Sequence, residues 1–452
     1  MRNQVLMALC VLSCGAVAGA ANAQVIEPLM PVPLLPVGPE APPQPGQPDI
    51  IGKTVTDRAR PEIDPLGLRF GDFFLYPRAE IDQGYNDNIF ATTNGRVGSF
   101  FTTLMPSFDL VSNLPQNLIE VSGGAALGRD DGHSSENYDD AFGSVSGRID
   151  VTALTSIRLS MRADREHIPR FSPDSPGTAA TPVVYNVETG DIGVSQTGTR
   201  VGYDADAIVT RSDYMAPPAI GGGLVPQDDQ NATGYEGALR VYYEFMPDYQ
   251  AFVRVSGNTQ QYDHAAGTIA PGITVPIRDS NGYRADVGAR LDLTGVTFIE
   301  LYGGYLAQEY TAAAFSTLRG IDYGATIVWN ATTLDTIKAS AIRTVNNANA
   351  EVVGIADSPG YLASIQSVSI DHELLRNVLL NANVSYEVDN WANINRTDYV
   401  VGGGVGAKYL VSRNVYLGAT YTYQQRESHG GLAVGAIPFS QNIFLLRLST
   451  QL

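Results

Sequence analysis

The charged side chains that could do chemistry recur at alternate positions of long segments. Arg158, Arg162 and Asp164 alternate with apolar residues within 155–166, and segments 138–151 and 281–293 repeat the spacing. A spacing of two places side chains on one face of a β-strand. Rings of such charges set selectivity in pores, and arginine offers five donors to hydroxyl or carboxylate groups. The candidate pore-lining residues are Arg78, Glu80, Arg148, Asp150, Arg158, Arg162, Glu236, Arg240, Arg254, Arg284, Asp286, Arg290 and Asp292.

Opposite charges on neighbouring strands also have a purely structural use. Charged pairs that face each other across adjacent strands stabilise a sheet by roughly 0.2–1 kcal/mol each. The candidate residues therefore have two interpretations, as the lining of a polar path suited to sugars and as braces of the wall that carries them. The sequence leaves both interpretations open.

The histidines show no spacing typical of a metal or catalytic site. A zinc site needs three or four ligands close together, and a hydrolase needs a histidine positioned beside serine or aspartate. The pairs His133-Ser134 and Ser428-His429 are neighbours in the sequence, but adjacency in a loop does not supply that geometry. We predict no metal, no cofactor and no catalytic residue. The histidines are His133, His167, His264, His372 and His429.

Composition excludes several classes of protein. The chain has 452 residues, a formal charge of -18, 44% hydrophobic and 17% charged residues. Nucleic-acid binding needs a basic face, and none is visible. The apolar content excludes a disordered chain. With only two cysteines, Cys10 and Cys14, a disulfide scaffold is excluded as well.

The first residues are predicted to direct export. Residues 1–23 have Arg2 before an apolar stretch and end in Ala21-Asn22-Ala23, which is typical of a secretory signal peptide. A lipoprotein anchored through Cys14 is the alternative. No later run of about 18 apolar residues predicts a transmembrane helix. Cleavage after residue 23 would leave the mature chain without cysteine.

Residues 24–69 are predicted to be a proline-rich leader on the periplasmic side. Proline lacks a backbone N–H and favours extended conformations over a packed core. The leader is interpreted as a spacer, and the alternative is a docking arm for a periplasmic partner.

From residue 70 to residue 452 the chain is predicted to be all-β, with strands of period two. Many segments have 12–14 residues, against a usual five or six in globular sheets. One face is apolar, and the other carries Arg, Asp, Glu, Asn and Gln, as in a transmembrane barrel with lipid outside and water inside. A secreted β-sandwich or propeller is the alternative. The predicted strands are 73–85, 98–111, 117–129, 138–151, 155–166, 183–195, 199–212, 232–245, 249–262, 281–293, 297–310, 319–331, 334–346, 360–372, 376–389, 396–410, 413–426 and 438–452.

Connection lengths predict the arrangement of these strands. Long connections such as 167–182 and 213–231 alternate with short ones such as 246–248, as in outer-membrane barrels. We therefore predict a single antiparallel up-and-down β-barrel of about 18 strands, with 16 as the alternative. An even number places the leader and the C-terminus in the periplasm.

Four stretches resemble the β-barrel porins of the "beta-barrel porin 2" type. The resemblance spans roughly residues 70–452 and implies a barrel in the Gram-negative outer membrane, of a kind often found with exopolysaccharide or capsule production. It implies no catalytic residues. Leu452 departs from the aromatic residue usual at the end of such barrels. The stretches are LYPRAEIDQGYNDNIF (75–90), VWNATTLDTIKASAIRTVN (328–346), DHELLRNVLLNANVSYEVDN (371–390) and NRTDYVVGGGVGAKYLVSRNVYLGATYTYQQRES (395–428).

The expected function is a water-filled passage through the outer membrane that takes part in exopolysaccharide or capsule export. Its expected partners are outer-membrane lipid, a polysaccharide and a periplasmic polysaccharide-export protein. A general diffusion porin for small polar solutes is the alternative function. An outer-membrane enzyme and a plugged structural barrel are the alternatives from other classes.

Overall fold

The computed structural model describes residues 54–173, 175–265, 267–270, 273–352, 356–430 and 438–452. The predicted signal peptide and residues 24–53 of the predicted leader lie outside these ranges. The described chain is almost entirely β-structure, with two single-turn 3₁₀ helices at Ser134–Glu136 and Asp228–Gln230. No helix in the described ranges is long and apolar enough to cross a membrane.

Eighteen long strands form one sheet, and each pairs antiparallel with its neighbour in the chain. In addition, a short strand at Leu68–Phe70 pairs with the beginning of the strand Phe73–Asn86, and a small hairpin of Gly267–Ala270 with Ile273–Val275 forms a separate sheet. The long strands are β1 Phe73–Asn86, β2 Ser99–Ser112, β3 Leu118–Asp130, β4 Tyr138–Asp150, β5 Thr155–His167, β6 Val184–Gln196, β7 Val201–Tyr214, β8 Ala232–Met246, β9 Tyr249–Tyr262, β10 Ser280–Leu293, β11 Thr297–Tyr310, β12 Leu318–Trp329, β13 Asp335–Val352, β14 Ala356–Leu375, β15 Val378–Trp391, β16 Thr397–Leu410, β17 Val415–His429 and β18 Phe439–Gln451.

The sheet closes on itself because β1 pairs with both β2 and β18. The β1–β18 register runs from Arg78 opposite Gln451 to Asn86 opposite Ile443. Closure gives the end strands backbone partners, which a barrel in lipid requires. The prediction of an antiparallel barrel with 18 strands is confirmed, and the alternative of 16 is wrong.

Two strands differ most from the prediction. Segments 334–346 and 360–372 were expected, whereas β13 extends to Val352 and β14 begins at Ala356. The polar run Asn346-Asn347-Ala348-Asn349 breaks the apolar alternation and therefore resembled a loop. Backbone pairing nevertheless continues from Asn347 opposite Gly360 to Val352 opposite Ala356.

The two faces of the sheet have inverted polarity relative to a soluble protein. Large apolar side chains of the outer face are exposed, for example Val287 at 64% and Leu446 at 65% of their surface. Inner-face carboxylates are enclosed, with Asp82 1% and Asp322 0% exposed. An apolar exterior around a polar interior is the arrangement that a lipid environment stabilises.

The two rims of the barrel are built differently. One rim, called the turn end here, has tight connections such as 247–248, 294–296 and 376–377. The opposite rim, the loop end, has longer connections such as 168–183 and 215–231. The long and short connections alternate along most of the chain, as the sequence predicts.

A charged cluster holds the first and last strands together. Arg447 of β18 donates to both carboxylate oxygens of Asp82 on β1, each at 2.7 Å, and lies 3.1 Å from Glu80. These side chains are almost fully enclosed, so removing one partner leaves a buried charge without its counterion.

Replacing Arg447 by alanine is expected to lower the free energy of unfolding by about 3–5 kcal/mol, because Asp82 and Glu80 lose their common partner. Urea titration of the refolded barrel in detergent measures this. The control is Arg129→Ala, which breaks the exposed Arg129–Asp139 pair and should cost about 1 kcal/mol or less. Equal losses in the two variants would contradict a closing role for Arg447.

Candidate functional site: the barrel lumen

The structure places all the sequence-predicted pore-lining residues on the inner face. Arg254 lies opposite Asp286, and Arg148 lies opposite Arg158, so these side chains share one side of the sheet. The same alternation holds on each strand that carries a candidate. The inner-face candidates are Arg78, Glu80, Arg148, Asp150, Arg158, Arg162, Glu236, Arg240, Arg254, Arg284, Asp286, Arg290 and Asp292.

Most of the inner-face arginines are held in ion pairs within the wall. Arg254 donates to Asp286 at 2.7 Å, and Arg284 approaches Asp322 to 2.7 Å. Some pairs reach beyond the adjacent strand, as when Arg158 on β5 binds Asp206 on β7 at 2.8 Å. These contacts match the bracing interpretation. The other pairs of candidates are Arg78–Asp109, Arg148–Asp150, Arg162–Asp164 and Arg240–Glu300.

Acidic side chains outnumber basic ones on the inner face. Asp204 accepts a hydrogen bond from the Ser195 hydroxyl at 2.7 Å, and Asp191 lies opposite Ile208. Neither carboxylate has a cation within 4 Å in the described ranges. The inner-face carboxylates with this property include Glu120, Asp191, Asp204, Glu236, Asp292, Glu387 and Asp389. The lumen therefore presents a net negative surface.

The connection 168–183 folds into the lumen from the loop end. Arg170 forms a bidentate pair with Glu136 at 2.7 and 2.9 Å. Farther along, the Phe171 carbonyl accepts a hydrogen bond from Arg426 of β17 at 2.9 Å. Because β17 is separated from β5 and β6 by several strands, this contact spans the interior. The connection therefore narrows the passage.

A cavity of about 170 Å³ lies between this connection and the wall. Aromatic rings of Phe101, Tyr138 and Phe171 line it together with the polar side chains of Thr103 and Gln441. Its volume is enough for several water molecules. This side of the lumen is thus lined by both aromatic and polar side chains.

At the turn end, residues 54–65 enter the mouth of the barrel, and we call them the docked segment. Val55 is fully enclosed and packs with Leu379, Leu410 and Tyr416, which are inner-face residues of β15, β16 and β17. Ile63 packs against the same cluster. The docked segment therefore covers part of the turn-end opening.

Polar contacts fix the docked segment in place. Arg60 donates to Glu373 of β14 at 3.0 Å, and both side chains are nearly buried. The backbone N–H of Val55 donates to the Thr336 hydroxyl at 2.8 Å. Arg413 donates to the Pro61 carbonyl at 2.6 Å. The sequence interpretation of the leader as a spacer did not anticipate these contacts, because proline content alone specifies no partner.

At the loop end, residues of different connections also contact each other. Arg278 donates to Asp229 at 2.8 Å in a nearly buried pair. Burial raises the pKa of the Asp229 carboxyl even though Arg278 lies beside it. Asn393 donates to the Ala314 carbonyl at 2.9 Å, which joins two further connections. These contacts hold connections of the loop end together.

Sequence reasoning missed several inner-face charges on the last strands. Lys408 and Asp398 of β16 and Arg426 of β17 are nearly buried, and Arg396 binds Asp398 beside Trp391. The alternation of the predicted strands 396–410 and 413–426, applied to these strands, would have placed Asp398, Lys408 and Arg426 inward. That signal was available, whereas the partners depend on register between strands.

Side chains that could hold a metal are not grouped in the described ranges. There, no cluster of three or more His, Cys, Asp or Glu side chains is placed to bind one. Three of the histidines lie within 4 Å of a carboxylate, with His133 3.6 Å from Asp130, His167 2.8 Å from Asp140 and His372 2.7 Å from Asp335.

Several solved structures match the chain at low sequence identity. OpdO of Pseudomonas aeruginosa is 12% identical, covers 84% of this chain and 97% of its own, and has a TM-score of 0.43. OpdK of the same organism is 7% identical, with 84% and 99% covered and a TM-score of 0.43. The copper transporter OprC is 11% identical, with 85% and 81% covered and a TM-score of 0.47. These values are too low to support a function.

Comparison at the family level is more informative. No curated protein matches the chain. The family described as "Putative beta-barrel porin 2" matches residues 60–452, which include the docked segment from Arg60 onward and the entire barrel. With its closed 18-stranded barrel and apolar exterior, the chain belongs to this family of outer-membrane β-barrel porins.

Proposed function

We propose that the barrel is a passage for small polar solutes that favours cations over anions. The observation that carries this proposal is the set of inner-face carboxylates without a cation within 4 Å, while most of the inner-face arginines are held by carboxylates. Charge on the lining of a pore sets its selectivity. Narrowing at both rims, by connection 168–183 and by the docked segment, favours small solutes over polymers.

Reversal potentials of the refolded barrel in a planar bilayer under a KCl gradient test the proposal. We expect potassium to be more permeant than chloride. The double variant Asp191→Asn with Asp204→Asn should move the permeability ratio toward one, because it removes two carboxylates from the lumen surface. Asp139→Asn, which changes an exposed carboxylate of the outer face, should leave the ratio unchanged. A wild-type barrel that prefers chloride would overturn the proposal.

Export of an exopolysaccharide, with a periplasmic export protein as partner, rests on the family resemblance alone and stays a prediction.

We also infer that the turn end faces the periplasm, since short periplasmic turns and long outer loops are usual in such barrels. The docked segment would then enter the lumen from the periplasmic side. Protease added outside intact cells should cleave in 215–231 and spare the connections of the turn end.

A further inference from the structure

The ladder between β12 and β13 is interrupted toward the loop end. These strands pair from Trp329 opposite Ile337 to Gly324 opposite Ile342, which is six positions. On its other side β12 pairs along its whole length with β11, up to Leu318. Residues 318–323 thus have no ladder partner on the β13 side among the described residues. We call this gap the slit. Unpaired strand edges are costly in lipid, so a slit in a barrel wall needs a compensating contact.

One side chain supplies that contact. Extending the register places Arg343 opposite Tyr323, and its guanidinium lies 5.3 Å from the Tyr323 ring centroid. It donates to the Ile321 carbonyl across the slit at 3.3 Å and to the Ser364 hydroxyl at 3.1 Å. The bond to Ile321 is long, and therefore weak. The slit is bridged by a cation rather than by a β-ladder.

Arg343 differs from two other outer-face arginines of the barrel, Arg129 and Arg211, which are held by carboxylates. Arg129 binds Asp139 at 2.6 Å, and Arg211 binds Asp263 at 2.7 Å. Within the described part of the chain, Arg343 has no carboxylate within 4 Å. A guanidinium without a counterion binds phosphate or carboxylate groups well, often through two parallel hydrogen bonds.

The surroundings of Arg343 are suited to an acyl chain. Ile321 points away from the lumen and is 68% exposed, beside the half-exposed Tyr323 ring. On the lumen side, Gly320 has no side chain, and a Cβ there would lie 3.5 Å from the Arg343 guanidinium. Apolar surface outside and a cation in the gap thus coincide at one place in the wall, where Gly320 contributes no side chain.

We propose that the slit binds an anionic amphiphile supplied by the membrane, with its phosphate or carboxylate headgroup on Arg343 and its acyl chain along Ile321. The headgroup competes with the Ile321 carbonyl for the guanidinium. When Arg343 turns toward the headgroup, the bridge across the slit is lost. The slit then joins the lumen to the bilayer, so the barrel gains a lateral opening in addition to its axial passage.

Binding is tested on the purified full barrel in a non-ionic detergent, by native mass spectrometry with dodecyl phosphate as the probe. We expect one molecule to bind saturably. Arg343→Gln should weaken this binding roughly tenfold or more, because a hydrogen bond to a charged group is lost. The matched control Arg129→Gln, on the outer face at a position paired with Thr102 of the neighbouring strand, should bind as the wild type does. Equal losses in both variants would mean general charge attraction and overturn the site.

Two competitors separate a membrane source from a soluble one. Dodecylphosphocholine, which has the same chain without net charge, should compete poorly. Inorganic phosphate should also compete poorly, since it has no acyl chain. Displacement of dodecyl phosphate by inorganic phosphate at similar concentrations would mean that Arg343 binds free anions, and it would overturn the proposal.

The slit itself is tested independently of any ligand by cysteine pairs, because the chain has no cysteine after Cys14. Ile327→Cys with Ala339→Cys lies on the paired part of the ladder and should form a disulfide on oxidation. Ile321→Cys with Val345→Cys occupies the equivalent positions in the slit and should not. Equal cross-linking of the two pairs would show a closed ladder and exclude the lateral opening.

Discussion

Replacing Arg60 by alanine is expected to release the docked segment and raise the mean single-channel conductance of the barrel. Arg60 and Glu373 are 6% and 5% exposed and lie 3.0 Å apart. Removing one partner of such a buried pair costs about 3–5 kcal/mol. Since about 1.4 kcal/mol is a factor of ten, the ratio of docked to undocked segment should fall by roughly a hundredfold or more. Released from Glu373, the segment no longer covers the turn-end mouth.

Planar-bilayer recording of wild type and variant in one batch of lipid measures this change. Arg69→Ala is the control. The Arg69 side chain is exposed, and within the described chain its one hydrogen bond goes to the nearby Gly71 carbonyl at 3.0 Å. The exchanged pair Arg60→Glu with Glu373→Arg should restore a lower conductance. An unchanged conductance in Arg60→Ala, with the fold verified by its mobility in unheated gels, would contradict a gating role for the segment.

A second large effect is expected at the loop end. Arg170 binds Glu136 through two hydrogen bonds and also donates to the carbonyls of Ala179 and Ala180 at 2.9 and 3.1 Å. Arg170→Ala removes these four bonds at once and leaves the largely buried Glu136 unpaired. The loss of about 3 kcal/mol or more should free connection 168–183 from the lumen. We expect a higher and noisier conductance.

Single-channel current noise and mean conductance report this release together. Arg170→Lys keeps the charge but not the bidentate geometry, so its effect should be intermediate. Arg165→Ala is the matched control, since Arg165 is an exposed arginine five residues earlier, on the outer face of β5. If Arg165→Ala and Arg170→Ala behave alike, the constriction does not depend on the Arg170–Glu136 pair.

The strands and their faces follow from the sequence because a period of two is a local property. Alternation alone puts Ile81 and Leu446 on the apolar face and Asp82 and Arg447 on the polar face, and the structure has them on the outer and inner faces respectively. The polar residues near Asn346 interrupt the alternation, which explains why β13 and β14 were predicted too short.

The partners of the inner-face charges could not be predicted in the same way. Arg158 meets Asp206 two strands away, so their contact depends on register and on the curvature of the closed wall. The docked segment poses a similar problem, since Val55 contacts residues more than 300 positions later in the chain. The slit could not be predicted either, because it depends on where the β12–β13 ladder stops. The alternation of apolar and polar residues in the sequence continues through Ile321 and Tyr323, beyond the end of that ladder.

The docked segment also has a mechanical consequence. Its contacts are spread over adjacent strands, at Thr336 of β13, Glu373 of β14, Leu379 of β15, Leu410 of β16 and Tyr416 of β17. Tension on the chain before residue 54 is therefore transmitted to these strands together. One of them, β13, is held to β12 by only six paired positions. A force on the leader therefore acts on the β12–β13 strand pair, which has the fewest paired backbone positions of the described wall.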